Sequence, residues 1–255
     1  MQQRLYHYTD AKGLMGILSE NDIILWATRY DCLNDPLEYI WAQEHIKPNI
    51  EILAHKEKKR YDPEMKMYPY IVSFCEKKDD LCMWRLYGDN GRGYILEFDI
   101  ERLQNFIDGD KYGILQKVKY ANDYNINQMI SQAIKEYNDV KGSDNIIDCY
   151  NACALVKKDD YEFEHEFRLL KSNYDCFEFN NGKEVYDGEN SSGLLYRESS
   201  LGIIPYIEIK IPKEVLKKII IGYGHCQKSQ NETISNLLHS RGYKNVKICT
   251  SKFKY

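Results

Sequence analysis

Segments patterned as β-strands recur from one end of this chain to the other, and that spread excludes an all-helical bundle. Residues 5–8, 23–26 and 70–75 read as short strands, and YILEFD follows the turn GDNGRG as another. EFEHEFRLL and YIEIKI alternate with a period of two, and residues 219–221 and 246–249 close the series. Helices fall between them. Thr9 or Asp10 caps one that runs through Leu14, Ile17 and Leu18. Pro36 fits the first turn of a second, which continues through Tyr39 and Ala42. DDLCMWRLYG reads as a short third helix with Asp79 or Asp80 as its cap, and residues 101–155 are mainly helical around a strand near 115–120. A last helix spans about residues 229–239. At about 150 residues per domain, 255 residues make one large domain or two small ones, and the even scatter of strands points to a single α+β domain over 1–255.

Hydrophobic residues make up 43% of the chain and charged residues 29%, ordinary values for a globular protein, so collagen, coiled coil and disorder are poor readings. No apolar run reaches the roughly 18 residues of a membrane span, and MQQRLYHYTD has no signal-peptide core. A cytoplasmic chain without membrane contact is expected. With 35 basic and 39 acidic side chains the net charge is -4, so no global positive field gathers nucleic acid, although a local basic groove stays open. The run HKEKKR reads as a solvated helix face. Cys32, Cys75, Cys82, Cys149, Cys153, Cys176, Cys226 and Cys249 form no C-x-x-C pair, so reduced thiols and no metal site are expected. Tyrosine is abundant, 22 of 255 residues. Lys, Asn and Ile run high with it, which fits genome composition; stacking surfaces for a planar ligand fit equally. Nothing in the sequence speaks to oligomeric state.

Four stretches carry residues suited to chemistry. In YHYT, strand geometry turns His7 and Thr9 to one face and Tyr6 and Tyr8 to the other. A histidine at a strand end can bind a sugar hydroxyl through one ring nitrogen while backbone orients the other, or it can be a half-buried histidine with one nitrogen satisfied. In WRLYGDNGRGY, Arg85 suits a bidentate pair with a pyrophosphate or carboxylate, and Trp84, Tyr87 or Tyr94 suits stacking on a ring. The plainer reading is aromatic core packing and an ordinary ion pair. In EFEHEFRLL, a continuous strand puts Glu162, Glu164, Glu166 and Arg168 on one face, either solvated or lining a polar cleft where the carboxylates perturb one another. The fourth stretch, IIIGYGHCQKSQNETISNLL, mimics a phosphate loop, but its spacing fits an ordinary strand-to-helix crossover.

Taken in order, LYHYTDAKGLMGILSENDIILWATRYDCLNDPLEY, IVSFCEKKDDLCMWRLYGDNGRGYILEFD, YEFEHEFRLL and IIIGYG resemble domain-of-unknown-function family 2971, a bacterial family related to ADP-ribosyltransferases. The opening is also similar to the H-x-T start of ADP-ribosyltransferase toxins that modify nucleic acid, and to the H-G-T segment of poly-ADP-ribose polymerases, with Tyr8 in place of glycine. The resemblance implies a single domain with a split, bent mixed β core and flanking helices, gripping NAD+ as substrate. By that analogy His7 holds the adenosine-side ribose, and backbone near Tyr8 and Thr9 meets the nicotinamide amide. Glu166 is the acid that binds the nicotinamide ribose, with Glu164 as its alternative. Asn34, Asp35, Ser73, Trp84 and Arg85 occupy further family motifs, and Tyr94 is a candidate stacking residue.

Those residue types suit the chemistry. Breaking the nicotinamide–ribose bond develops positive charge on the sugar, which a fixed carboxylate stabilises more in the transition state than in the ground state. Neither metal nor covalent nucleophile is needed. The resemblance implies ADP-ribosyl transfer to a protein or nucleic acid, in a toxin or anti-phage defence setting. NAD+ hydrolysis and a non-catalytic nucleotide- or RNA-binding module are the alternatives.

Overall fold

The computed structural model describes residues 3–56, 69–109, 113–142, 146–171, 177–180, 183–186, 193–199 and 202–254. Cys176 and the HKEKKR run from residue 57 onward lie outside them. The strands are β1 (Arg4–Thr9), β2 (Ile23–Arg29), β3 (Tyr70–Cys75), β4 (Tyr94–Asp99), β5 (Gly113–Lys117), β6 (Lys119–Ala121), β7 (Val156–Lys158), β8 (Glu166–Lys171), β9 (Phe177–Asn180), β10 (Lys183–Tyr186), β11 (Leu194–Ser199), β12 (Gly202–Ile211), β13 (Leu216–Ile221) and β14 (Lys247–Thr250). The helices are α1 (Ala11–Ile17), α2 (Pro36–Lys56), α3 (Leu81–Tyr87), α4 (Ile100–Asp108), α5 (Ile126–Lys141), α6 (Ile146–Cys153) and α7 (Gln227–Ser240).

The expected mixed α+β architecture is what the chain adopts. Its main sheet runs β11-β12-β2-β3-β1-β4-β13-β14, with β8 also on β3 and β5 beyond β8. Pairing in this sheet is antiparallel except between β13 and β14, which α7 joins as a crossover; no phosphate loop is formed there.

The sheet splits at β3. One edge of β3 pairs with β8 over its full length, from Tyr70↔Lys171 to Cys75↔Glu166. The other edge serves two strands. β2 meets it at Thr28↔Ile71 and Arg29↔Tyr70, and β1 meets it at Tyr6↔Cys75 alone. Beyond that one pair β1 swings off to lie along β4, from Arg4↔Asp99 to Thr9↔Tyr94. Between Ile71 and Cys75 this edge of β3 has no strand partner among the described residues. A cleft opens there.

Apolar residues tie the two sides of the split together beneath it. Leu5, Leu96, Phe98, Val72 and Phe74 belong to one core, which α1 completes with Leu14 and Ile17. On α5, Ile126, Ile130, Ala133 and Tyr137 recur at helical spacing and pack against α2 and α6 in a second core. Each fully buried isoleucine contributes about 1.5–3 kcal/mol. Tyr6, Tyr8, Met83 and Trp84 make a third, smaller cluster beside the cleft.

Two local expectations are corrected. EFEHEFRLL is not one strand. Residues Asp159–Glu164 form a 3-10 turn, His165 takes a left-handed conformation (φ 45°), and only Glu166 begins β8. The segment near 115–120 likewise divides into β5 and β6, because the Val118 N–H turns to the Glu166 carbonyl. Of the two candidate caps on α3, Asp80 accepts the Cys82 and Met83 N–H groups. Asp79 is buried instead and receives the Trp84 indole N–H, the Ser251 hydroxyl and the Lys252 N–H.

Candidate functional site

A cavity of about 830 Å³ occupies the split, within the range typical of small-molecule sites. At its base lies a network of five ionic side chains, Glu38, Lys157, Glu164, Glu166 and Arg168, all buried. Four elements supply them. Glu38 comes from the first turn of α2, Lys157 from β7, Glu164 from the 3-10 turn, and Glu166 and Arg168 from β8. The left-handed kink at His165 matters here, because it keeps Glu164 beside Glu166 although the strand has not yet begun.

Arg168 is the fixed point. Its Nε and Nη2 donate to Glu166 Oε1 and Oε2 at 2.8 and 3.0 Å, its Nη1 donates to the Ala154 carbonyl at 2.7 Å, and Nη2 also pairs with Glu38 at 2.6 Å. Lys157 stands among the three carboxylates, 2.6 Å from Glu164 and 3.4 Å from both Glu166 and Glu38. Tyr87 donates its hydroxyl to the other Glu164 oxygen at 2.5 Å. Tyr120 accepts the Glu166 N–H at 2.8 Å, and Tyr161, whose hydroxyl is held by Asp35, places its ring under the Lys157 ammonium.

Burial pushes the Glu166 carboxyl up, but Arg168 and Lys157, with hydrogen bonds from Arg168 and Ser73, hold it well below the usual carboxylate range. Burial works against the Lys157 ammonium, yet Glu166, Glu38 and Glu164 outweigh it and raise its pKa. Both groups stay charged at neutral pH. Three carboxylates against two cations leave the network with a formal charge of -1 at the base of the cavity.

His7 spans the opening of the split. Its Nδ1 lies 2.9 Å from the Ser73 carbonyl oxygen, on the stretch of β3 edge that lacks a strand partner. A carbonyl only accepts, so Nδ1 carries the proton and Nε2 presents a lone pair. Burial lowers the His7 pKa, and the Ser73 carbonyl offsets this only in part, so the ring is neutral. The Tyr8 side chain is spoken for: its hydroxyl donates to the Lys77 carbonyl and accepts the Asp80 N–H, tying β1 to the start of α3.

Eight of the eleven residues singled out from the sequence line this cavity: His7, Tyr8, Thr9, Asn34, Asp35, Ser73, Glu164 and Glu166. Of the two readings of the Glu162–Arg168 face the solvated one fails, since Glu164, Glu166 and Arg168 are buried and only Glu162 is exposed. The other three lie elsewhere. Trp84 is wholly buried in the aromatic cluster, its indole N–H committed to Asp79. Arg85, the next residue on α3, is exposed and outside the cavity. Tyr94 sits on β4, whose residues are all buried, and its hydroxyl binds Gln230. None of the three lines this cavity. Glu38, Lys157, Tyr87 and Arg197 line it without having been singled out as site residues, Tyr87 having been one of three stacking candidates. Glu38 lies within the quoted LNDPLEY, but neither it nor Lys157 stands in a pattern that marks it.

Residues 83–169, about a third of the chain, match the model of a family described as a protein of unknown function (DUF2971). The matched stretch holds Glu164, Glu166 and Arg168, and His7 lies outside it. No curated protein matches the chain. Among solved structures it is similar to "Thermus sp. 2.9 DarT in complex with ADP-ribosylated ssDNA", at 10% identity over 100% of this chain and 97% of that one, with a TM-score of 0.38.

Proposed function

We propose that the chain is an ADP-ribosyltransferase, one domain over its whole length, that takes NAD+ as substrate and passes ADP-ribose to a macromolecular acceptor, protein or nucleic acid. The observation that carries the reading is a buried ionic network with one surplus negative charge, sharing a single cavity with a neutral, oriented histidine. A buried ion network stabilises a fold less than apolar packing of the same volume does. Its place at the base of a cavity suits work on a cationic reactant.

NAD+ brings a cation, the pyridinium ring, and forms another as the glycosidic bond stretches. In the reaction the C1′–N bond breaks, its electron pair leaves with neutral nicotinamide, and an acceptor nucleophile bonds to C1′ and gives up its proton. The ionised Glu166 stabilises the positive sugar, and Arg168 keeps that carboxylate from turning away. A carboxylate has about four acceptor sites. Arg168 takes two of those on Glu166, Lys157 lies near a third, and the Ser73 hydroxyl, which helps to hold the Glu166 pKa down, lines the cavity. A ribose hydroxyl of the substrate takes the place of that Ser73 hydroxyl. His7 Nε2 accepts from a hydroxyl of the other ribose, and the backbone of Tyr8 and Thr9 meets the nicotinamide amide.

The test incubates the purified chain with NAD+ labelled on its adenylate phosphate, alone and with single-stranded DNA, RNA or protein. Label transferred to one acceptor class supports the reading. Label recovered only as free ADP-ribose makes the chain a hydrolase, and unchanged NAD+ in every arm contradicts both.

A further inference from the structure

We propose that Arg197, with Thr28, Trp26 and Lys12, forms a subsite for the pyrophosphate of a nucleoside diphosphate; this rests on the NAD+ reading for the identity of the whole substrate, of which the subsite takes the ADP half. Four Lys and Arg side chains line the cavity: Lys12, Lys157, Arg168 and Arg197. Lys157 and Arg168 are neutralised by the buried glutamates. Lys12, exposed on α1, has no ion pair among the described residues, and Arg197 on β11 has no carboxylate partner among them either. Glu198 follows Arg197 and also reaches the cavity, but no ion pair joins the two.

Arg197 is not a loosely solvated side chain. Its Nη2 donates to the Thr28 hydroxyl at 3.0 Å, and its guanidinium carbon lies 6.0 Å from the centre of the Trp26 ring. Its Nε is buried and has no hydrogen-bond partner. A desolvated guanidinium N–H with nothing to bind carries an energetic cost that an anion in the cavity removes. The planar fork matches two oxygens of a phosphate. Trp26 is backed by α1 so closely that a Cβ on Gly16 would stand 2.8 Å from its ring. That fixes an aromatic surface beside the guanidinium, suited to a nucleobase.

Position sets the direction of binding. Thr28 pairs with Ile71 on β3, and Ser73, two residues on, pairs with Arg168. Two residues of strand span about 7 Å, so the unneutralised cation and the anionic network lie a short way apart along one strand. A dinucleotide with a cationic ring and an anionic linkage fits one way round, phosphates to Arg197 and ring to the glutamates. The reverse pose sets phosphate against three carboxylates.

The experiment measures ADP, adenosine and a short single-stranded DNA by titration calorimetry against wild type, Arg197→Gln, Arg197→Lys and Lys12→Gln, each checked for folding by thermal melting. ADP affinity is expected to fall tenfold or more in Arg197→Gln, by an intermediate factor in Arg197→Lys, which keeps charge but loses the fork, and a few-fold in Lys12→Gln. Adenosine is expected to bind all four alike. If Arg197→Gln does not fold, Arg197→Lys carries the comparison. Equal ADP affinity in wild type and the folded Arg197 variants overturns the subsite, as does a loss confined to DNA. ADP binding that depends on Arg197 in a protein that never releases nicotinamide from NAD+ contradicts the transferase reading and leaves the subsite standing. Nicotinamide release with ADP binding indifferent to Arg197 does the reverse.

Discussion

His7 closes with its side chain a gap that the backbone leaves open: its Nδ1 donates to the Ser73 carbonyl across 2.9 Å, just past the single rung that joins β1 to β3. Removing the ring in His7→Ala forfeits that bond, worth about 0.5–1.5 kcal/mol, and takes the Nε2 acceptor from the cavity. Chemical denaturation is expected to show a loss of about 1 kcal/mol. The KM for NAD+ rises by more than the stability loss accounts for. An unchanged KM contradicts a ligand-facing role for His7.

The His7 pKa lies below its ordinary value, chiefly through burial. The unfolded chain therefore binds more protons than the folded chain once pH drops below about 6.5, and stability falls as pH is lowered through that window towards the folded value. Protonation also removes the Nε2 lone pair. Urea midpoints that decline below about pH 6.5 in wild type, with a weaker decline in His7→Ala, are expected. Glu166 acts with the same sign further down: its depressed pKa contributes stability that is present above the ordinary glutamate value and lost as pH falls below it.

Ser73→Ala keeps the carbonyl that His7 uses and deletes only the hydroxyl on Glu166. Because a substrate hydroxyl is to occupy that position, kcat is expected to stay within about fivefold of wild type, well short of the hundredfold or more typical of a lost transition-state contact. A loss as large as that of a Glu166 variant contradicts the exchange.

Lys157→Met strips the cation from the middle of three carboxylates. Breaking a buried pair in this way costs about 3–5 kcal/mol. The deficit is expected to be largest at neutral pH and to shrink on acidification, as one of the crowded carboxylates takes up a proton. Thermal melting of wild type and variant across pH reads this directly. A deficit independent of pH means the ammonium was not holding the carboxylates together.

Trp84→Phe tests whether Trp84 packs the core or meets a ligand. The indole donates to Asp79 at 2.7 Å and lies outside the cavity. The variant is expected to lose about 1–3 kcal/mol of stability while its KM for NAD+ is unchanged. A rise in KM without a loss of stability contradicts the core assignment.

Much of the scaffold was legible because its signals are local. Asp10 caps α1 and Asp80 caps α3, as the polar residue ahead of each apolar run indicates. The strand pattern that pairs Glu164 with Glu166 is only half right, since β8 begins at Glu166. A left-handed His165 has no sequence signature of the kind glycine gives, so the turn before β8 was invisible. Trp84 and Arg85 are neighbours in sequence, but a helix sends adjacent residues about 100° apart, and nothing local says which one faces the interior. Glu38, Lys157 and Arg197 come from α2, β7 and β11, elements far apart in the chain. Only the folded sheet brings them to one cavity, so no spacing rule finds them.

The most direct measurement is nicotinamide release from NAD+ by wild type and by Glu166→Gln, both verified as folded by melting and assayed together at neutral pH. The account predicts release by wild type and a rate lower by about a hundredfold to a thousandfold in the variant, with ADP affinity little altered. Equal release by the two proteins, or none by wild type with any acceptor present, contradicts it.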